Sequence, residues 1–232
     1  MKKSLCLIIS IFSLGLLFGD SQKLLQNYFS EDTFANMLAV LEDAEQNIDN
    51  ITATYNLMVV HLNELSKVMA ELEMNADNLQ AGQRFQLANT YLALGKMEEA
   101  ISHYDFLNTN YETWSCPWRH KGEAYYNLED WENSARALEK AIETRIEHYD
   151  AYLWLARVQL KLKKNKAALK TFETGMSYKG KDIEDPEEEF SSEEESFLKL
   201  DIFKANKMRK DVKELEPSLK AKYPDSQYWT SK

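Results

Sequence analysis

The side chains able to do chemistry in this 232-residue chain are few and scattered. His61, His103, His120 and His148 are its four imidazoles. Each could serve as a general base or a metal ligand, but none has a second ligand at metal-binding spacing. Of the two cysteines, Cys6 lies in an apolar N-terminal run and Cys116 stands alone in the body of the chain. With only Arg119 and His120 as nearby bases, Cys116 reads either as a small half-buried packing residue or as an intermolecular bridge or reactive thiol. No glycine-rich phosphate loop occurs among the seven glycines. Carboxylates are abundant, yet they fall on solvated helix faces and in one acidic spacer. Catalysis needs converging groups, and none converge here. The expectation is a protein that is not an enzyme, with no catalytic residue, no metal and no cofactor.

The elements that carry these residues repeat. Shifting the sequence by 34 residues aligns Ala88, Gly122 and Ala156, and then Tyr91, Tyr125 and Gln159. Further on, Ala100, Ser134 and Ala168 share a column, followed by Tyr104, Leu138 and Phe172. Small residues twelve apart, with bulky apolar residues between and after, suit two antiparallel helices that cross closely. One such unit cannot bury its apolar face alone, so neighbours must stack.

The pattern resembles the tetratricopeptide repeat, with units at 81–114, 115–148 and 149–182. Trp118, Gly122, Tyr125, Trp131, Ser134, Leu138 and Ala141 occupy the family's landmark positions in the middle unit. The first unit supplies Leu87, Ala88, Tyr91, Gly95, Met97, Ala100 and Tyr104, and the third Tyr152, Leu155, Ala156, Ala168 and Phe172. Lys121 departs from the usual apolar residue, Glu129 and Lys163 replace the turn glycine, and the closing prolines are missing. The resemblance implies an all-α fold: a helical solenoid of three repeats, preceded by a long N-terminal helical arm and followed by a C-terminal capping helix.

The N-terminus reads differently. Lys2 and Lys3 precede an apolar run from Leu5 to Phe18, then Gly19 and polar sequence from Asp20. This is the pattern of a secretory signal covering residues 1–19. The run falls short of the roughly 20 residues of a membrane span, so the mature form is expected to carry none; an uncleaved anchor is the alternative. Export, with a periplasmic address, is the expectation. Removal of the leader leaves 26 basic and 38 acidic side chains.

Residues 20–80 form the arm. From Phe34 to Leu72 apolar residues recur in steps of three and four without Gly or Pro, the pattern of a heptad seam. A single helix over this stretch would run roughly 60 Å. Residues 31–77 hold ten acids and one base, Lys67. The seam suits a homo-oligomer through residues 34–72, packing on the chain's own repeats, or a separate helical partner. Asn47, Asp49, Asn50 and Thr52 mark a place where it could fold into a hairpin.

Behind the repeats, residues 183–192 read as an acidic loop and 193–232 as a capping helix with a tail. Ser192 and Glu195 are expected to form a capping box, and Pro217 to break the helix. The Asp182–Glu195 stretch adds nine acids and no base, and residues 199–222 hold eight bases against four acids. A surface so divided lacks the concentrated positive charge that nucleic acid requires, so no nucleic-acid partner is expected.

Binding of protein is the function that remains. In the family the first helix of each repeat lines a concave groove. By position, the resemblance assigns partner contact to Phe85, Asn89 and Leu92, to Arg119, Glu123 and Tyr126, and to Leu153, Arg157 and Leu160. Cys116 and Asp150 would stand beside them. Arg119 and Arg157 could hold a carboxylate in bidentate fashion, and the apolar members would grip a peptide or helix. The family's chaperone-tail clamp is not matched, because only Asn89 fits it. The order of leader, heptad arm and repeats resembles periplasmic coordinators that couple envelope constriction to wall synthesis. That resemblance points to an adaptor whose partners are envelope proteins. An oligomeric structural protein of the envelope or surface, its repeats packed on its own arm, is the alternative.

Overall fold

A computed structural model describes residues 65–181 and 190–230. The leader, most of the arm (20–64) and the core of the acidic loop (182–189) lie outside them. The chain divides into two units, Met1–Met74 and Asn75–Lys232. Of the first, residues 65–74 are described and are helical.

The second unit is helical throughout its described residues. After a 3₁₀ turn at Ala76–Asn78 come α1 (Ala81–Ala93), α2 (Met97–Asn110), α3 (Ser115–Asn127), α4 (Trp131–Thr144), α5 (Tyr149–Lys161) and α6 (Asn165–Tyr178). Two more follow, α7 (Ser192–Ala205) and α8 (Arg209–Lys222), and then a 3₁₀ turn at Gln227–Trp229. The helices pair as hairpins: α1 with α2, α3 with α4, α5 with α6, α7 with α8. Each hairpin packs on the next, with α7 resting on both α5 and α6.

The columns read from sequence are the contact line of each hairpin. Ala88, Ala100, Tyr104, Leu138, Ala156 and Ala168 are all fully buried. Gly122 is needed because a Cβ there would lie 2.5 Å from Leu138 Cγ. Ser134, in the column of Ala100 and Ala168, satisfies its buried hydroxyl by donating to the Gly122 carbonyl at 2.6 Å.

Four identical turns close the hairpins. The amides of Lys96, Asp130, Lys164 and Met208 bond the carbonyls of Tyr91, Tyr125, Gln159 and Phe203. One residue earlier, Gly95, Glu129, Lys163 and Lys207 bond Leu92, Tyr126, Leu160 and Lys204. These paired bonds are a Schellman closure, and it requires a left-handed residue. Gly95 (φ 75°), Glu129 (58°), Lys163 (59°) and Lys207 (59°) supply it.

The fourth turn corrects the expected C-terminal end. Residues 193–232 are not one capping helix; they form a fourth hairpin, offset from the third by 44 residues (Lys163 to Lys207) instead of 34. The capping box stands one residue earlier than expected, with Ser191 Oγ accepting from Glu194 N and Glu194 Oε2 accepting from Ser191 N. Pro217 does not break the helix; it lies inside α8. A proline there removes one intrahelical bond at a cost of about 3 kcal/mol. Packing offsets it, because Leu219 is buried against Phe197 and Leu200, with Val212 and Leu215 alongside. Phe190, at the end of the acidic loop, is no loop residue in character: it is buried in a cluster with Tyr152, Leu153, Leu198 and Ile202.

Candidate functional site, the concave row

The first helix of each hairpin carries the row that the family resemblance assigns to partner contact. In the first two hairpins that row is largely spent on internal packing. Phe85 lies against Trp114 (ring centroids 4.8 Å apart) and His120 (5.2 Å). Asn89 Oδ1 accepts from the Tyr104 hydroxyl at 2.7 Å. Arg119 is only 2 % exposed. Its Nη1 donates to Glu123 Oε2 at 2.6 Å, and its Nη2 lies 2.7 Å from His120 Nε2. Since guanidinium can only donate, that ring nitrogen accepts and the His120 proton sits on Nδ1.

Burial dominates the electrostatics of this cluster. It holds His120 far below the usual imidazole range, and the Arg119 charge pushes the same way. Burial raises the Glu123 carboxyl, while Arg119 and, more weakly, Arg157 pull it back down. The Tyr104 hydroxyl is driven up by desolvation. Glu123 is thus a carboxylate held by Arg119, and a second carboxylate brought by a ligand would have to displace it.

Arg157 is likewise engaged, in a different way. Its Nη2 lies 3.5 Å from Glu194 Oε1 of α7. Its guanidinium covers the Phe190 ring at 4.4 Å and the Trp154 ring at 5.1 Å. The paired-arginine carboxylate clamp expected from sequence is therefore corrected: each arginine already faces an acid of its own chain. Leu153 is fully buried, and Asp150 is 5 % exposed, so both belong to the interior. Cys116 is half-buried, with Arg145 Nη2 3.6 Å from its sulfur.

A Ser–His contact at the junction of the second and third hairpins is the nearest thing to a catalytic pair. Ser115 Oγ donates to the Ala141 carbonyl at 2.9 Å and lies 2.5 Å from His148 Nδ1. With the hydroxyl proton committed to a carbonyl, His148 acts as donor here and Ser115 is not activated as a nucleophile. Both residues are 2 % exposed. Burial, helped by Arg145 and Arg119, depresses His148 to about 2. Among the described residues no group of three His, Cys, Asp or Glu is placed to hold a metal, and no helix is long and apolar enough to cross a membrane.

Farther along the row lies an open cleft of about 1080 Å³. Tyr126 of α3 and Arg157, Leu160 and Lys161 of α5 form one side. The other side is α7 (Glu193, Glu194, Phe197, Leu198, Asp201, Ala205) with the tail that follows α8, including Tyr223 and Tyr228. Three of the nine expected contact residues, Tyr126, Arg157 and Leu160, come together here. Leu92 is half-buried and lines no part of the cleft. The 34-residue period does not reach the α7 and tail residues; an offset of 44 residues places Phe197 and Asp201 in the columns of Leu153 and Arg157.

Comparison with known proteins agrees with the repeat geometry. Models of the tetratricopeptide repeat match residues 84–105 and 150–174. The array is a tetratricopeptide-repeat solenoid. Among solved structures, a MamA protein superposes with a TM-score of 0.51 at 19 % identity, covering 66 % of this chain and 81 % of that one. MamA from Desulfovibrio magneticus RS-1 gives 0.53 at 19 % identity, with 64 % and 78 % covered. YrrB, described as a tetratricopeptide-repeat protein with an unusual peptide-binding site, gives 0.52 at 19 % identity, with 67 % and 74 % covered. No curated protein matches by sequence. At this identity the likeness of the solenoids is one of fold.

Proposed function

We propose that this protein is a non-enzymatic adaptor that holds a peptide or helix of a partner protein in its concave row, and that it works in the bacterial periplasm or cell envelope. The cleft carries the reading. It combines apolar and aromatic side chains (Tyr126, Leu160, Phe197, Leu198) with charged groups of both signs at its edges (Arg157, Lys161, Glu193, Lys222), the makeup of a surface that orients a segment of protein. The peptide-binding site described for YrrB, on a fold of the same kind, supports it. The envelope address rests on the leader pattern of residues 1–19, which lie outside the described residues.

The test is capture of partners from envelope extracts with full-length protein and with Tyr126→Ala/Leu160→Glu. The substituted protein is expected to lose one defined partner while keeping its helical circular-dichroism spectrum. Capture of the same partners by both proteins would move function away from the cleft. The address is tested separately, by fractionating the periplasm and following leader removal by mass.

A further inference from the structure

The concave row of the fourth repeat is not empty. After α8 the chain reverses at Pro224, and residues Tyr223–Trp229 return along α7. Ser226 Oγ donates to Glu193 Oε1 at 2.5 Å. The Tyr228 ring stacks on Phe197 at 4.1 Å with planes 12° apart, and its hydroxyl donates to Asp201 Oδ1 at 2.5 Å. Trp229 meets Phe197 edge-on at 5.1 Å. Phe197 and Asp201 hold the repeat positions of Leu153 and Arg157 in the third hairpin. The tail therefore lies on the same row that elsewhere faces the groove, and it forms one wall of the cleft.

We propose that Tyr223–Trp229 is a displaceable occupant of a recognition surface on α7. The surface reads a segment in which a hydroxyl residue precedes a tyrosine by two positions. Each element of the recognition is chemical and specific: a carboxylate for the hydroxyl at Glu193, an aromatic plane at Phe197, and a second carboxylate for the phenol at Asp201. The attachment is light. Pro224, Asp225, Gln227 and Thr230 are exposed, and Ser226, Tyr228 and Trp229 are only half-buried. Tethering compensates, because a short tether gives an effective concentration in the mM range. A partner segment of the same chemistry, held also by the cleft, would take the tail's place. The inference rests on the groove reading above and adds to it the identity of one ligand class.

The probe is a labelled synthetic peptide of residues 223–232, added to full-length protein and to the full-length Tyr228→Ala/Trp229→Ala variant. The variant is expected to bind it saturably and at least roughly tenfold more tightly than the wild type, whose own tail competes. A probe peptide with Ser226→Ala and Tyr228→Phe should bind at least roughly tenfold more weakly, as expected when the half-buried carboxylates of Glu193 and Asp201 lose their donors. Hydrogen exchange on the unaltered protein supplies the second measurement: the amides of Tyr228, Trp229 and Thr230 should exchange well before those of α7 and α8. Equal peptide binding by both proteins, no binding by either, or tail amides that open only with the whole array would overturn the proposal and make the tail a fixed end cap. None of those results touches capture by the Tyr126 and Leu160 side of the cleft, and loss of cleft-dependent capture leaves the tail result standing.

Discussion

Asn165 and Asn206 hold the third and fourth hairpins together by a reciprocal exchange. Asn165 Nδ2 donates to the Ala205 carbonyl, and Asn206 Nδ2 to the Asn165 carbonyl, each at 2.9 Å. Asn206 also reaches Ile202 O at 2.9 Å within its own helix. One asparagine opens α6 and the other follows α7; the last carbonyls of a helix lack intrahelical partners, and Asn165 Nδ2 satisfies that of Ala205 while Asn206 ties back to the first turn of α6. Asn206→Ala should cost about 1–2 kcal/mol, the range of a net hydrogen bond lost with some desolvation. Urea denaturation followed by circular dichroism measures it, and hydrogen exchange should show the α7–α8 hairpin loosening first.

Three of the four hairpin turns place a side-chain-bearing residue in the left-handed region, Glu129, Lys163 and Lys207. Outside glycine that conformation costs roughly 1–2 kcal/mol, partly returned by the extra freedom glycine has when unfolded. Each of Glu129→Gly, Lys163→Gly and Lys207→Gly should therefore raise stability by about 0.5–1 kcal/mol. Alanine at the same positions should give no gain. Thermal melts of the three glycine variants and their alanine partners separate the backbone effect from the loss of charge.

The same turns explain what was legible in the sequence. A fixed period with small residues at Ala88, Gly122 and Ala156 dictates close helix crossings, so the hairpins could be placed from composition and spacing alone. The fourth hairpin escaped because the insertion before it shifts the period by ten residues, from 34 to 44, so its turn at Lys207 falls out of the column that reveals the equally glycine-free turns at Glu129 and Lys163. Pro217 compounded this, since helix rules place a break where packing by Leu219 sustains α8. The site was only partly legible. Repeat position names Tyr126, Arg157 and Leu160, which line the cleft, but it cannot tell that Arg119 is bonded to Glu123 or that Leu153 is covered by Phe190 and α7. Those facts depend on which neighbours stack, not on the repeat itself.

Arg119 and Arg157 should accordingly behave differently when removed. Arg119→Met empties a buried site and leaves the partly buried Glu123 without its cation, so the loss should approach the lower end of the about 3–5 kcal/mol that breaking a buried pair costs. Arg157 is partly exposed and its contact with Glu194 is long, so Arg157→Met should cost about 1 kcal/mol or less. Chemical denaturation of the two variants gives the comparison. Equal losses would mean that Arg119 is not the interior residue its burial makes it.

Acid should destabilise the array through its histidines. His148 and His120 are held neutral below the ordinary imidazole value of 6.5 by burial first, then by neighbouring arginines. The unfolded chain binds protons at these two positions as pH falls below that value, while the folded chain does not. Stability is therefore full above about pH 6.5 and is lost at about 1.4 kcal/mol per pH unit for each histidine below it. Glu123 works in the opposite sense, because burial raises its carboxyl and the folded form gains from protonation once pH approaches the carboxylate range. The net expectation is a melting temperature that drops steadily from about pH 6.5 to pH 5, with Glu123 offsetting part of the fall near the lower end. His148→Asn keeps a side-chain N–H able to reach Ser115 Oγ and removes one titrating group, so its melting temperature should fall about half as steeply over the same window. A slope equal to that of the unaltered protein would show that His148 takes up its proton without unfolding, and that the contact between Ser115 and His148 is not what fixes the junction of the second and third repeats.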